Sequence, residues 1–180
     1  MRYADGPGVA YEVHVEATPS RVWELVTDIH LPARLSTELQ RVEWRDGADG
    51  LAMGASFVGY NSHPNVGEWR TASYVTELDQ QRVFGWVVTD LDGVFAGPDG
   101  VRSTVTSPSA SWRFELQAAE TGTRLRQSVR IGPGRSGLSV VIDRAPEHEE
   151  QIVEFRLGEL RSHIESLLNG IKTLAETPHP

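Results

Sequence analysis

Residues 146–176 read PEHEEQIVEFRLGELRSHIESLLNGIKTLAE, and their periodicity decides how the rest of the chain must fold. Val153, Leu157, Leu160, Ile164, Leu167, Ile171 and Leu174 recur at alternating steps of four and three, with Ile152, Phe155 and Leu168 widening the stripe. That spacing is the apolar face of a long amphipathic helix. Glu147, Glu149 and Glu150 occupy its first turn, where the helix dipole favours negative charge. At ~1.5 Å per residue the helix spans roughly 45 Å, and Gly158 is the one place where a bend is expected. A stripe this long needs an equally long apolar partner.

The partner is written immediately upstream. From Arg41 to Ile131 the chain alternates polar and apolar residues, broken at Asp46-Gly47, His63-Pro64-Asn65, Asp79-Gln80-Gln81, Gly97 to Gly100 and Thr121-Gly122. These breaks predict six antiparallel strands near 41–46, 54–62, 67–78, 82–90, 110–118 and 122–131. Residues 92–108, rich in Gly, Ser, Thr and Pro, read as a long loop or ragged hairpin extension of the kind that serves as a lid. Further out, Val9, Tyr11, Val13, Val15 and Ala17 alternate with polar residues and form strand one. Thr18-Pro19 then caps a helix through Val22, Trp23, Leu25, Val26 and Ile29, and Ala33, Leu35 and Leu39 mark a second short one after Pro32. The tail Thr177-Pro178-His179-Pro180 is expected to be loose.

Strands without helical crossovers cannot form a parallel sheet, so the class is α+β, a seven-stranded antiparallel sheet covered by the terminal helix. At 180 residues one domain covering 1–180 is expected, ordered over about 8–176. With 17 Lys and Arg against 25 Asp and Glu, the net charge of −8 disfavours nucleic acid and anionic lipid surfaces. No run approaches the ~20 apolar residues of a spanning helix, so no integral membrane association is expected. The start Met1 to Gly6 lacks a hydrophobic signal core, and the expected compartment is the cytoplasm. The absence of cysteine removes disulfides, thiolate metal sites and cysteine nucleophiles.

The order of elements, together with Val13-His14-Val15-Glu16-Ala17-Thr18-Pro19-Ser20-Arg21-Val22-Trp23, Trp112-Arg113-Phe114-Glu115-Leu116, Gly122-Thr123-Arg124-Leu125 and the terminal helix, resembles the START-like superfamily, also called SRPBCC. Its bacterial members are known as polyketide cyclase/dehydrase or lipid-transport proteins. Asn61-Ser62-His63-Pro64 and Gly67-Glu68-Trp69 fit the same pattern. The resemblance covers nearly the whole chain and implies a helix-grip fold: a curved sheet wrapped around the last helix, two short helices between strands one and two, and an elongated cavity for an apolar or amphipathic molecule. The superfamily also contains enzymes and a co-chaperone branch, so fold alone does not choose the activity.

The period of two identifies cavity candidates. If Phe57 faces inward, so do Asn61 and His63; the next strand offers Trp69, Thr71 and Ser73, and the one after it Phe84, Trp86 and Asp90. Trp112 and Phe114 follow, then Gln127, and Phe155 from the helix. Asn61 and His63 stand beside a turn that they would equally cap, whereas Gln127 in mid-strand has no turn to serve. Trp23, Trp44, Trp69, Trp86 and Trp112 fit a core as readily as a pocket wall.

Two motifs mislead. Gly132-Pro133-Gly134-Arg135-Ser136-Gly137 matches G-x-G-x-x-G, but its strand is antiparallel and Pro133 removes an amide donor, so a turn is expected there and no nucleotide cofactor. His148-Glu149-Glu150 opens like H-E-x-x-H but has Ile152 in place of the second histidine, and the six histidines are dispersed, so no metal is expected. Three functions remain open: a binder of a lipid or polyketide-like small molecule; a cyclase or dehydrase acting on such a ligand without metal or nucleotide, with His63, Asp90 or Glu38 moving a proton; and a co-chaperone-like interaction module using the outer sheet face. The helix stripe would also serve a dimer seam, so the chain is read as a monomer or homodimer.

Overall fold

A computed structural model describes residues 1–177; Pro178, His179 and Pro180, expected above to be loose, lie outside the described residues. The strands are β1 (Gly8–Val15), β2 (Leu39–Arg45), β3 (Ser56–His63), β4 (Gly67–Asp79), β5 (Val83–Asp90), β6 (Ala110–Ala118) and β7 (Thr123–Ile131). The helices are α1 (Pro19–Val26), α2 (Leu31–Leu35), α3 (Gly137–Arg144) and α4 (Glu149–Glu176). All seven strands form one antiparallel sheet in the order β1-β7-β6-β5-β4-β3-β2, with α1 and α2 between β1 and β2. This is the α+β helix-grip arrangement.

Local chemistry sets the boundaries. Thr18 Oγ1 accepts from the Arg21 amide at 3.3 Å and Pro19 occupies the first helical position, so α1 starts where its capping residue demands. Pro32 does not break a helix but sits in the first turn of α2, where its missing N–H costs nothing. β2 begins at Leu39, with a bulge between Leu39 and Arg41. Residues 146–148 form a 3-10 turn, after which α4 runs unbroken through Gly158.

The core lies between the β1, β6 and β7 side of the sheet and α4, with Val15, Val22, Leu125, Val153 and Leu168 inaccessible to solvent. α2 also closes on α4, because a Cβ at Gly170 would stand 2.6 Å from a Leu35 methyl. Two members of the helix stripe depart from expectation. Phe155 lies roughly 200° around the helix from Val153 at about 100° per residue, and it is 64% exposed rather than packed on the sheet. Leu174 is 41% exposed, near the end of α4. The glycine-rich stretch after β7 holds no helix or strand through Ser136, as expected of a turn, but it leads into α3, which is too short for Leu138, Val141 and Ile142 to announce a helix by periodicity.

Residues 92–108 contain no strand but are tied down. Asp90 Oδ1 and Oδ2 accept from the amides of Gly93 (3.0 Å) and Phe95 (2.6 Å), and Ser103 Oγ accepts from the Asp90 amide at 2.8 Å. Arg102 reaches the Leu91 carbonyl and Arg135 the Phe95 carbonyl, both at 3.0 Å. The loop thereby delivers Phe95, 6% exposed, edge-on to Trp69 with ring centroids 5.8 Å apart.

Candidate functional site

A cavity of about 700 Å³ opens between the concave face of the sheet and α4, within the ~300–1,000 Å³ range of small-molecule sites. Its existence follows from the geometry of α4. Val153, Ile164, Leu168 and Ile171 point into the core. Ile152, Arg156, Glu159 and His163 lie on the adjoining flank, roughly 60° to 120° away, where the sheet has curved out of contact.

The far wall is aromatic. Trp86 and Trp112 lie nearly parallel across the β5–β6 pair, 6.2 Å apart with an interplanar angle of 7°. Phe84 meets Trp86 at 4.8 Å and Phe114 at 6.4 Å, while Phe57 continues the wall 6.5 Å from Trp86. Such a surface offers flat, desolvated area with little conformational freedom left to lose.

The structure places every sequence candidate on this lining: Phe57, Asn61 and His63 from β3, Trp69, Thr71 and Ser73 from β4, and Phe84, Trp86 and Asp90 from β5. Trp112 and Phe114 come from β6, Gln127 from β7, Glu38 from the segment before β2, and Phe155 from the rim. Their polar atoms differ in availability. Asn61 Nδ2 donates to the Gly59 carbonyl (3.3 Å) and Thr71 Oγ1 (3.4 Å), so its amide nitrogen is already engaged. Both Asp90 oxygens are taken by the loop amides described above. Gln127 is 2% exposed, and its Oε1 is fully buried without a hydrogen-bond partner among the described residues.

The charged part of the wall joins three elements. Arg156 of α4 clamps Glu38 through two hydrogen bonds of 2.8 Å and reaches Glu159 at 3.2 Å. His63 Nδ1 accepts from the Asn65 amide at 3.2 Å, which leaves the ring proton on Nε2 to face Glu159 Oε1 at 3.2 Å. Burial opposes ionisation of Glu38, but the hydrogen bonds and charge of Arg156, aided by His163 and His63, outweigh it and hold the carboxyl below its usual range. Burial likewise opposes the Arg156 charge, and Glu38 and Glu159 more than restore it. Arg156, Glu159 and His163 were not anticipated as site residues. Their spacing of three and four places them on one helical flank, which is the signal that marks them.

Residues 7–165 match the family model of polyketide cyclase/dehydrase and lipid-transport proteins, and the chain belongs to that family. Among solved structures, it is similar to the Polyketide_cyc-like protein Cgl2372 of Corynebacterium glutamicum, at 26% identity and a TM-score of 0.58, over 94% of this chain and 91% of that one. The di-domain ARO/CYC BexL from the BE-7585A biosynthetic pathway matches at 14% identity and a TM-score of 0.66; 96% of this chain is covered, spanning 51% of that protein. Ara h 8.0201 shares the fold at 13% identity and a TM-score of 0.56, with 93% and 98% of the two chains covered. A search of the curated proteins finds no match.

Proposed function

We propose that the chain binds one apolar or amphipathic small molecule, a lipid or polyketide-like compound, between the sheet and α4. The observation that carries this reading is the cavity of about 700 Å³ with its aromatic wall, supported by family membership. Binding without chemistry is favoured over catalysis by the state of the three proton-transfer candidates. Both nitrogens of His63, both carboxylate oxygens of Glu38 and both of Asp90 are already engaged by protein partners, leaving none aimed at a substrate.

Native mass spectrometry of the freshly purified protein, followed by organic extraction, tests the proposal together with a titration of the neutral dye Nile red. A one-to-one apolar adduct, or saturable dye binding at one site per chain, is the expected result. A bare protein mass combined with no saturable dye binding overturns it.

A further inference from the structure

The aromatic wall changes character along its strands. The cross-strand pair Phe84 and Phe114 is sealed, at 3% and 1% exposure. Two residues along each strand, on the same face, Trp86 pairs with Trp112, and both are half-buried. Two further on, Val88 pairs with Ala110, and these smaller side chains thin the wall beside the indoles. β5 and β6 are interior strands of the sheet, so the surface that the two tryptophans keep is surface of the cavity.

An indole Nε1 donates one hydrogen bond and accepts none, and in a buried tryptophan that donor normally finds a partner. Here neither does. Among the described residues, Trp86 Nε1 and Trp112 Nε1 have no protein acceptor, and neither belongs with Arg45 Nη1 and Gln127 Oε1, the unpaired side-chain atoms that are wholly sealed. The two N–H groups are therefore unsatisfied and reachable from within the cavity. Ser73 on β4, opposite Val88 in register, carries a hydroxyl in the same condition, which extends the row across three strands. Stacking alone does not call for an indole, since Phe57, Phe84 and Phe114 serve the same wall; positions 86 and 112 add a donor to the apolar area. Asn61 Nδ2 and the Arg156 guanidinium are already bound to protein acceptors, so they do not compete for a ligand oxygen in the way the indoles do.

We infer that Trp86 and Trp112 are specificity-determining donors: the cavity takes a molecule bearing a ketone, quinone, ester or lactone oxygen within an apolar frame, and that oxygen accepts from the indole N–H groups in the middle of the wall. This rests on the cavity being a binding site, and it narrows the ligand from apolar molecules in general to those with an uncharged carbonyl. A hydrocarbon of the same shape fills the same space but displaces water from both N–H groups without replacing its hydrogen bonds. That difference is what the wall reads.

Equilibrium dialysis with two probes of one shape tests the inference: 1-acetylpyrene, and 1-isopropenylpyrene, in which a methylene group replaces the ketone oxygen. Trp86→Phe combined with Trp112→Phe keeps an aromatic ring at each position and removes both donors. The double variant is expected to weaken the ketone at least about tenfold more than the alkene. The infrared stretch of an isotope-labelled carbonyl in the ketone is expected to lie lower on the wild type than in dry cyclohexane, and to return to the cyclohexane value on the variant. If thermal melts show that the double variant does not fold, 3-benzothienylalanine at both positions, which exchanges N–H for sulfur in a ring of the same shape, takes its place. Equal losses for the two probes, or a carbonyl stretch on the wild type at its cyclohexane value, overturn the role of the indoles while the proposed function stands. If neither probe binds while Nile red does, the inference falls alone; if Nile red also fails and the protein mass is bare, it falls with the reading on which it rests.

Discussion

Replacing Arg156 by Met removes the cation that holds Glu38 and Glu159 together and leaves two carboxylates on one patch of cavity wall. Breaking a buried ion pair by deleting one partner costs about 3–5 kcal/mol, because the remaining charge stays desolvated. The Arg156 and Glu38 side chains are 22% and 15% exposed, so partial solvation reduces the expected cost to about 2–4 kcal/mol. At ~2–4 °C per kcal/mol for a chain of this length, the melting temperature should fall by about 4–16 °C at pH 7. The pH dependence carries a sign. In the wild type Glu38 is held below its usual range, so its contribution is present at neutral pH and disappears as the solution is acidified past that range. Without Arg156, burial raises the same carboxyl, and the penalty develops as pH rises. The gap between variant and wild type should therefore be widest near neutrality and shrink toward about pH 4. Glu38→Gln added to Arg156→Met removes the stranded charge and should recover at least half of the loss. Thermal melts by circular dichroism across pH check all three statements. A loss below about 2 °C, or a double variant no more stable than the single one, would refute the reasoning.

Three other perturbations give separate readings. Asp90→Ala deletes the acceptor for the Gly93 and Phe95 amides and should cost about 1–3 kcal/mol, with faster hydrogen exchange at those two amides; unchanged protection would show that the carboxylate does not hold the loop. Gly122→Ala forces a side chain onto a backbone with φ of 71° and places its Cβ 2.1 Å from the Val15 carbonyl oxygen, so the urea midpoint should drop by the equivalent of about 1–3 kcal/mol or more. Phe155→Ser and Phe114→Ala should separate rim from core: the first residue is 64% exposed and its loss should stay within about 0.5 kcal/mol, whereas the second is 1% exposed and should cost about 3–5 kcal/mol in the same denaturation series.

The strands were legible because a half-buried sheet writes itself with a period of two, and the same rule that located β3 to β7 aimed Asn61, His63, Trp86 and Gln127 at the cavity. The helix was legible as an element but not as two faces. Its apolar stripe marks the side that meets the core, while the flank carrying Arg156, Glu159 and His163 looks like an ordinary solvated edge until the curvature of the sheet is known. Phe155 reads as part of the packed stripe for a related reason, because hydrophobicity alone does not convey the angle that carries the residue around the axis. α3 was hidden by its shortness, and Glu38 was nameable as a candidate only without the arginine that occupies both its oxygens. Pairings between elements far apart in the chain leave no mark in either segment.

The strand order carries a kinetic consequence. From β2 to β7 each strand pairs with its successor, so the meander can zip up through neighbouring hairpins, but among the described residues β1 pairs only with β7, more than a hundred residues away. Joining such distant segments exacts its loop-closure entropy before any contact repays it, and local pairing wins that race. The hairpins therefore assemble first, and β1 arrives as the closing strand of an already curved sheet. Since α4 makes more contact with β1 than with any other element, the docking of β1 and the sealing of the helix over the cavity belong to one late, cooperative step. A chain paused before it would present its aromatic wall to water.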